Sequence, residues 1–284
     1  MRDVPNVLNQ FPDDPRLLLS EPFRAVHFVY GLFHPAIPAL PGRAVLGALA
    51  ALGFGDEAAR GILLRLRRGG FIESTRAGRT AAYALAPRSV ALIDEISRRT
   101  TEPPPPWDGT FDALLVRIPG RDRAFREQLR RHAAFAGFGS PVPGLLLSPG
   151  PGPMRILEPL LALAPSGAVI VRARLTPSPD DARALAGDAW DLRGLGTRLR
   201  AETTRLERAA TEASALDLEG GAALARLWDT IGPLFELLSE NRLLPAALLP
   251  DDWPLDAAHA AFVRVAMVLA GPARRYVEDL AVPP

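Results

Sequence analysis

The sequence predicts an α+β protein with three parts: an N-terminal winged helix-turn-helix, a central ferredoxin-like α/β domain and a C-terminal helical domain. Three observations predict it. Helical patterns lead into a hairpin pattern between Pro22 and about Leu92, strands and helices alternate from Phe111 to Ala173, and helical spacing takes over from Asp188. The expected boundaries are a loose arm over 1–21, the winged helix over 22–101, a Pro-rich linker over 102–110, the ferredoxin-like domain over 111–180 and the helical domain over 181–284.

The arm holds Pro5, Pro12 and Pro15 among acids and amides. A first helix is expected from about Phe23 to Phe33, ending before Pro35, Pro38 and Pro41, which cannot continue it. A second runs from Gly42 to Leu52, with Gly53 as a left-handed cap. Asp56 offers an N-cap for a third helix, Glu57 to Arg68, closed by Gly69 and Gly70. Phe71 to Ser74 and Thr80 to Leu85, joined by a turn holding Gly78, read as a hairpin.

The third helix carries the function-bearing pattern. Ala59, Ile62, Leu63 and Leu66 form one apolar stripe at i, i+3, i+4 and i+7. On the other side Arg60, Leu64, Arg67 and Arg68 fall within an arc of about 100°, with Arg65 at its margin. From Arg60 to Arg79 there are six arginines (Arg60, Arg65, Arg67, Arg68, Arg76, Arg79) against the single acid Glu73. A local positive excess of this kind is the footprint of a phosphate-binding surface. In the winged-helix plan the second helix of the pair enters the major groove and the wing touches flanking phosphates. Double-stranded DNA is therefore the expected partner.

Composition narrows the alternatives. A chain of 284 residues has room for two or three domains. Cysteine is absent, which excludes disulfides, thiolate metal sites and cysteine nucleophiles. All 33 basic residues are arginine, a bias that points to a GC-rich genome, so arginine is not read as selected for its fork at every position. No run of about 18 apolar residues is free of charge. The start is polar and acidic, unlike a signal peptide, so a cytoplasmic location is expected.

Four consecutive prolines, Pro103 to Pro106, favour a stiff, extended linker. Beyond it, strands are expected at Phe111–Ile118, Leu145–Leu147 and Ala168–Ala173, with helices over Arg121–Ala136 and Arg155–Ala164. Leucine spacing through Leu192, Leu195, Leu199 and Leu206, and through Leu224, Leu227, Trp228, Ile231, Phe235 and Leu238, marks further helices. Two last ones are expected over Asp256–Leu269 and Pro272–Leu280.

Four stretches carry a family resemblance. "PPPPWDGTFDALLVRIP" (103–119), "AGFG" followed by "PGLLLSP" (136–149), "AWDL" (189–192) and "LPAALLPDDWPLDAA" (244–258) occur in the order and spacing of the PaaX family of transcriptional regulators, which the chain resembles over about residues 22–282. The resemblance implies the winged helix, a central domain like that of CRISPR-associated ferredoxin-like nucleases and a helical C-terminal domain. It also implies operator binding as a homodimer, relieved by an aryl-coenzyme A thioester. There are departures: Gly61 and Leu64 stand where the family has small residues with hydroxyls, and the paired tyrosines of the wing are here Ala82 and Tyr83.

No catalytic, metal or cofactor site is expected. The histidines (27, 34, 132, 259) lack zinc-ligand spacing, and Gly150-Pro151-Gly152-Pro153 lacks the amides of a phosphate loop. A metal-dependent nuclease in the central domain is the enzymatic alternative, weakened because Asp112 starts the first strand rather than ending it. The other alternative is a ligand-binding or interaction protein with a degenerate winged helix. For an acyl-coenzyme A effector, Arg172 and Arg174 would hold phosphate, and Trp190 and Trp253 would line the acyl pocket. For each tryptophan, packing in the core is the competing role.

Overall fold

The computed structural model describes residues 20–77, 80–101, 106–150, 152–240 and 244–282. The first elements are α1 (Glu21–Gly31), β1 (Leu40–Pro41), α2 (Gly42–Ala51), α3 (Asp56–Arg68), β2 (Ile72–Ala77), β3 (Thr80–Leu85) and α4 (Pro87–Thr101). Next come β4 (Phe111–Arg117), α5 (Arg123–Ala136), β5 (Gly139–Val142), β6 (Leu145–Ser148), α6 (Gly152–Leu161) and β7 (Val169–Leu175). The rest is helical: α7 (Pro179–Ala189), α8 (Leu192–Leu216), α9 (Gly220–Glu240) and α10 (Leu255–Ala281). The chain is thus mixed helix and sheet, with two antiparallel sheets.

Two compact units result, and neither is one continuous stretch. The first combines Met1–Glu102, Ala201–Leu234 and Asp256–Pro284, and the second combines Pro103–Arg200 with Phe235–Leu255. The expected boundaries followed the chain; the units do not, because the long C-terminal helices contribute to both.

In the first unit α1, α2 and α3 pack on one another and on a three-stranded sheet of order β1-β3-β2. Phe23, Val26, Val29 and Tyr30 of α1, Val45, Ala48 and Leu49 of α2, and the predicted stripe of α3 are all buried. Tyr30 donates its hydroxyl to the carbonyl of Tyr83 at 2.7 Å, tying α1 to β3, and burial raises its phenol pKa. The C-terminal helices join this core. Phe28 and Trp228 rings lie 5.1 Å apart, and the Arg43 guanidinium donates to the carbonyls of Leu280 and Ala281 at 3.0 and 2.6 Å, capping α10. Gly47 admits the Leu280 side chain, which a Cβ there would approach to 2.9 Å.

In the second unit the order β4-α5-β5-β6-α6-β7 builds a four-stranded sheet, β5-β6-β4-β7. The two-residue period of its strands divides the core in two. Leu114, Leu146 and Ile170 face α5 and α6 through Leu129, Ala133 and Leu157, whereas Phe111, Ala113, Leu147 and Ala173 face Ala182 and Ala186 of α7, with Trp190, Leu244, Leu248 and Trp253. The "PDDWP" stretch closes this second face: Trp253 packs on it, Arg200 pairs with Asp252, and Arg183 reaches Asp251 at 3.9 Å.

Several expectations need correction. Asp56 is the first residue of α3 rather than its cap; Gly55 takes the cap position with extended φ/ψ (−62°, 156°). β1, α4 and β5, and most of α7, were not expected. The break expected at Pro272 is absent, since α10 is one helix. Ala258, Ala261, Val265, Leu269, Ala273 and Val277 bury a single stripe that runs through the proline. That burial, worth about 1.5–3 kcal/mol for each large side chain, offsets the roughly 3 kcal/mol a mid-helix proline costs. α10 is also, by length and composition, long and apolar enough to cross a bilayer, and 22% of its most apolar window is buried within the chain. The leucines at 195, 199 and 206 are buried within the chain, and Trp228 packs on Phe28 while remaining, like Phe235 and Leu238, half-buried.

Candidate nucleic-acid interface

The local sequence explains how α3 presents its outer face. Asp56 and Glu57 occupy the first turn and Arg65, Arg67 and Arg68 the last, the charge order that a helix dipole favours. The helix then stops on Gly69, with Gly70 in the left-handed region at φ +68°. Its stripe of Ala59, Ile62, Leu63 and Leu66 is 1–3% exposed. Opposite it, Arg60, Leu64, Arg65, Arg67 and Arg68 are all exposed, so the structure brings these five predicted residues onto the outer side of one helix.

They are not equivalent. Arg60 Nε donates to Asp56 Oδ2 at 3.0 Å in an exposed i, i+4 pair. Among the described residues, Arg65, Arg67 and Arg68 have no acidic partner. Leu64, 39% exposed, places an apolar side chain amid the guanidiniums. Gly61 leaves space beside them: a Cβ there would meet only Arg65 Nη1, at 3.4 Å.

The hairpin follows directly, with Glu73, Ser74 and Thr75 exposed on β2. Arg76 lies opposite Ala81 near the hairpin tip, while its side chain, and Arg79 altogether, lie outside the described residues.

Sequence reasoning missed Arg88, at the start of α4. Its guanidinium lies 3.8 Å from the centre of the Phe71 ring, and a Cβ on Gly70 would come within 3.1 Å of its Nη2. Arg88 thus braces the junction of α3 and the hairpin. Its Nε and Nη2 are buried without a hydrogen-bond partner, and burial lowers its pKa. Pro87, a favoured first helical residue, followed by Val90 and Ile93, was the signal available for α4.

The expected effector residues do not share a lining. Arg172 and Arg174 alternate with Val171, Ala173 and Leu175 along β7, while Ala173 and Leu175 pack with Trp190 and Trp253. The arginines therefore point to the opposite face of the sheet from the tryptophans. Both are already engaged: Arg172 with Glu158 at 3.1 Å, Arg174 with Asp108 at 3.2 Å and Asp112 at 3.8 Å. Hydrogen bonds from the Thr110 hydroxyl and amide, aided by Arg174, hold the Asp108 carboxyl below its ordinary pKa. Trp190 is 9% exposed in the core, its Nε1 without a partner. Among the described residues no three His, Asp or Glu side chains gather as a metal site.

Comparison with known proteins gives a consistent but partial relationship. No family model matches the chain. Over 133 residues, 45% of this chain, it is 29% identical to the transcriptional repressor PaaX of Escherichia coli, which supports a PaaX-like relationship. The match spans 42% of that relative, less than half of its length. Among solved structures, an uncharacterised protein of Mycobacterium tuberculosis superposes with a TM-score of 0.59 over 90% of this chain and 97% of that one. At 22% identity that likeness is one of fold.

Proposed function

We propose that this chain is a DNA-binding transcriptional regulator, a repressor acting in the cytoplasm, in which α1 to β3 form a winged helix and α3 enters the major groove. The observation that carries the proposal is the outer face of α3, where three arginines with no acidic partner among the described residues flank Leu64, followed at once by a hairpin. The similarity to the Escherichia coli repressor supports the same reading. The second unit, with its β-α-β-β-α-β order, serves as the ferredoxin-like body.

Roles follow from partners. Arg65, Arg67 and Arg68 are free to neutralise phosphates. Arg60 is the base reader, because giving up an exposed i, i+4 pair costs only about 0.3–0.5 kcal/mol and a bidentate guanine contact returns about 1–3 kcal/mol. Leu64 meets a thymine methyl. One winged helix makes few contacts, so a homodimer on two half-sites completes the reading.

Fluorescence anisotropy with random-sequence and upstream genomic duplexes, over a range of salt, tests the proposal. Affinity should fall linearly on a log–log plot. Arg65→Ala/Arg67→Ala/Arg68→Ala should weaken every sequence alike and flatten that slope, while Arg60→Ala should cost about 1–3 kcal/mol on the preferred sequence and blur it. An intact chain that binds no duplex at about 0.1 M salt would contradict the proposal.

A further inference from the structure

We propose that the outer face of α5, in the second unit, is a second contact for the phosphates of duplex DNA. The inference rests on the DNA-binding reading above but on different residues.

More than half of the described arginine side chains are occupied within the chain. Arg43 caps α10, and Arg60, Arg130, Arg172, Arg174, Arg183, Arg200, Arg205, Arg226, Arg264, Arg274 and Arg275 pair with acids. Among the described residues, exposed arginines without such a partner gather on two helices. One is α3, with Arg65, Arg67 and Arg68. The other is α5, with Arg123, Arg126 and Arg131; elsewhere only Arg117, Arg193 and Arg208 stand singly.

The placement on α5 is not that of an ordinary solvated face. Residues 121–131 hold five arginines, all exposed, against the acids Asp122 and Glu127. Arg121 lies 3.5 Å from Asp122 and Arg130 lies 3.4 Å from Glu127, so both acids are already engaged. Arg123, Arg126, Arg130 and Arg131 occupy an arc of about 140° at the helical period. The opposite side packs Leu129, Ala133 and Ala136 into the sheet core. Arg123 and Arg126 repel each other as i, i+3 neighbours, and Arg126 and Arg130 as i, i+4 neighbours. Arg123 and Arg126 also stand in a first turn that holds no acid, where the helix dipole disfavours cations. An external polyanion relieves both conflicts at once. The four guanidiniums span about 12 Å of helix axis, a length over which a duplex presents about seven phosphates. Beside them, among the described residues, α5 exposes no apolar side chain larger than those of Ala124 and Ala134, and the contact is with the backbone and blind to sequence.

The test is a salt titration of the full chain on random-sequence duplex. Arg126→Ala/Arg131→Ala is compared with Arg67→Ala/Arg68→Ala; all four residues are exposed, and thermal unfolding checks that the fold persists. Each lost phosphate contact removes about 0.9 from the slope of log affinity against log salt. The α5 pair should therefore flatten the slope by nearly two and weaken all sequences equally, leaving their ranking intact. Arg126→Lys/Arg131→Lys should restore the slope. If the α5 pair leaves slope and affinity unchanged while the α3 pair lowers both, the second contact is wrong and the regulator reading stands. If neither pair has any effect, both fall.

Discussion

His27 shows how a single buried group ties stability to pH. It lies in α1, stacked on Phe23 with ring centres 3.9 Å apart, and its Nδ1 is 2.8 Å from the Phe23 carbonyl oxygen. Burial lowers its pKa to about 4. The unfolded chain takes up the proton near pH 6.5 and the folded chain does not until about pH 4. Stability is therefore full above about pH 6.5, is lost as pH falls toward 4, and levels off below. The total is about 3 kcal/mol. Denaturant midpoints against pH should show this loss in the wild type and not in His27→Leu. Gly61 makes a second prediction at this scale. With only Arg65 Nη1 near its absent Cβ, Gly61→Ala should raise stability by about 0.5–1 kcal/mol, measured by thermal unfolding, without displacing the arginines. Much of the residue-scale picture was legible in the sequence: the stripe of Ala59, Ile62, Leu63 and Leu66 and the arginines opposite follow from the helical period alone. What Asp56 does was not, because capping and pairing with Arg60 both suit an aspartate at that place, and only the geometry at Gly55 decides.

At the scale of elements, local pattern located most of the helices but missed α4 and most of α7, and it placed helix ends less well. β1 is two residues beside prolines, and it is a strand only because Leu40 and Pro41 pair with Tyr83 and Ala82. Such long-range pairing leaves no local period to read. Pro272 failed as a breaker for the converse reason, since packing on both sides of it holds the helix together. On β7 alternation correctly set Arg172 and Arg174 on one face. Which face that was depended on the register of β7 with β4 and on the helices covering each side, so the arginines and the tryptophans were joined wrongly. The junction of α2 with α10 yields a prediction of its own. Arg43 supplies two hydrogen bonds to the last carbonyls of α10, so Arg43→Met should lower stability by about 1 kcal/mol in urea unfolding, at unchanged secondary structure by circular dichroism.

For the whole molecule, the division into units changes how the proposed DNA-binding segment is held. The expected picture joined a head to a body by the prolines of 103–106. The structure instead packs α1 and α2 against α9 and α10 inside one unit, through Phe28 with Trp228 and Arg43 with the end of α10. Sequence period revealed the helices but not this docking, which depends on side chains some 200 residues apart. The proposed homodimer makes a prediction at this scale: light scattering at micromolar protein should give twice the chain mass of 30.5 kDa, and a single chain mass both free and on DNA would contradict it. The central claim is that the outer face of α3 lies in the major groove. Its most direct measurement is cross-linking from a photoreactive amino acid placed at Leu64, which is exposed amid the arginines. Irradiation of the complex with duplex DNA should join position 64 to bases at the centre of each half-site, and the link should disappear at high salt. Undiminished binding with no cross-link from position 64, and efficient cross-linking from another exposed helix, would contradict the account.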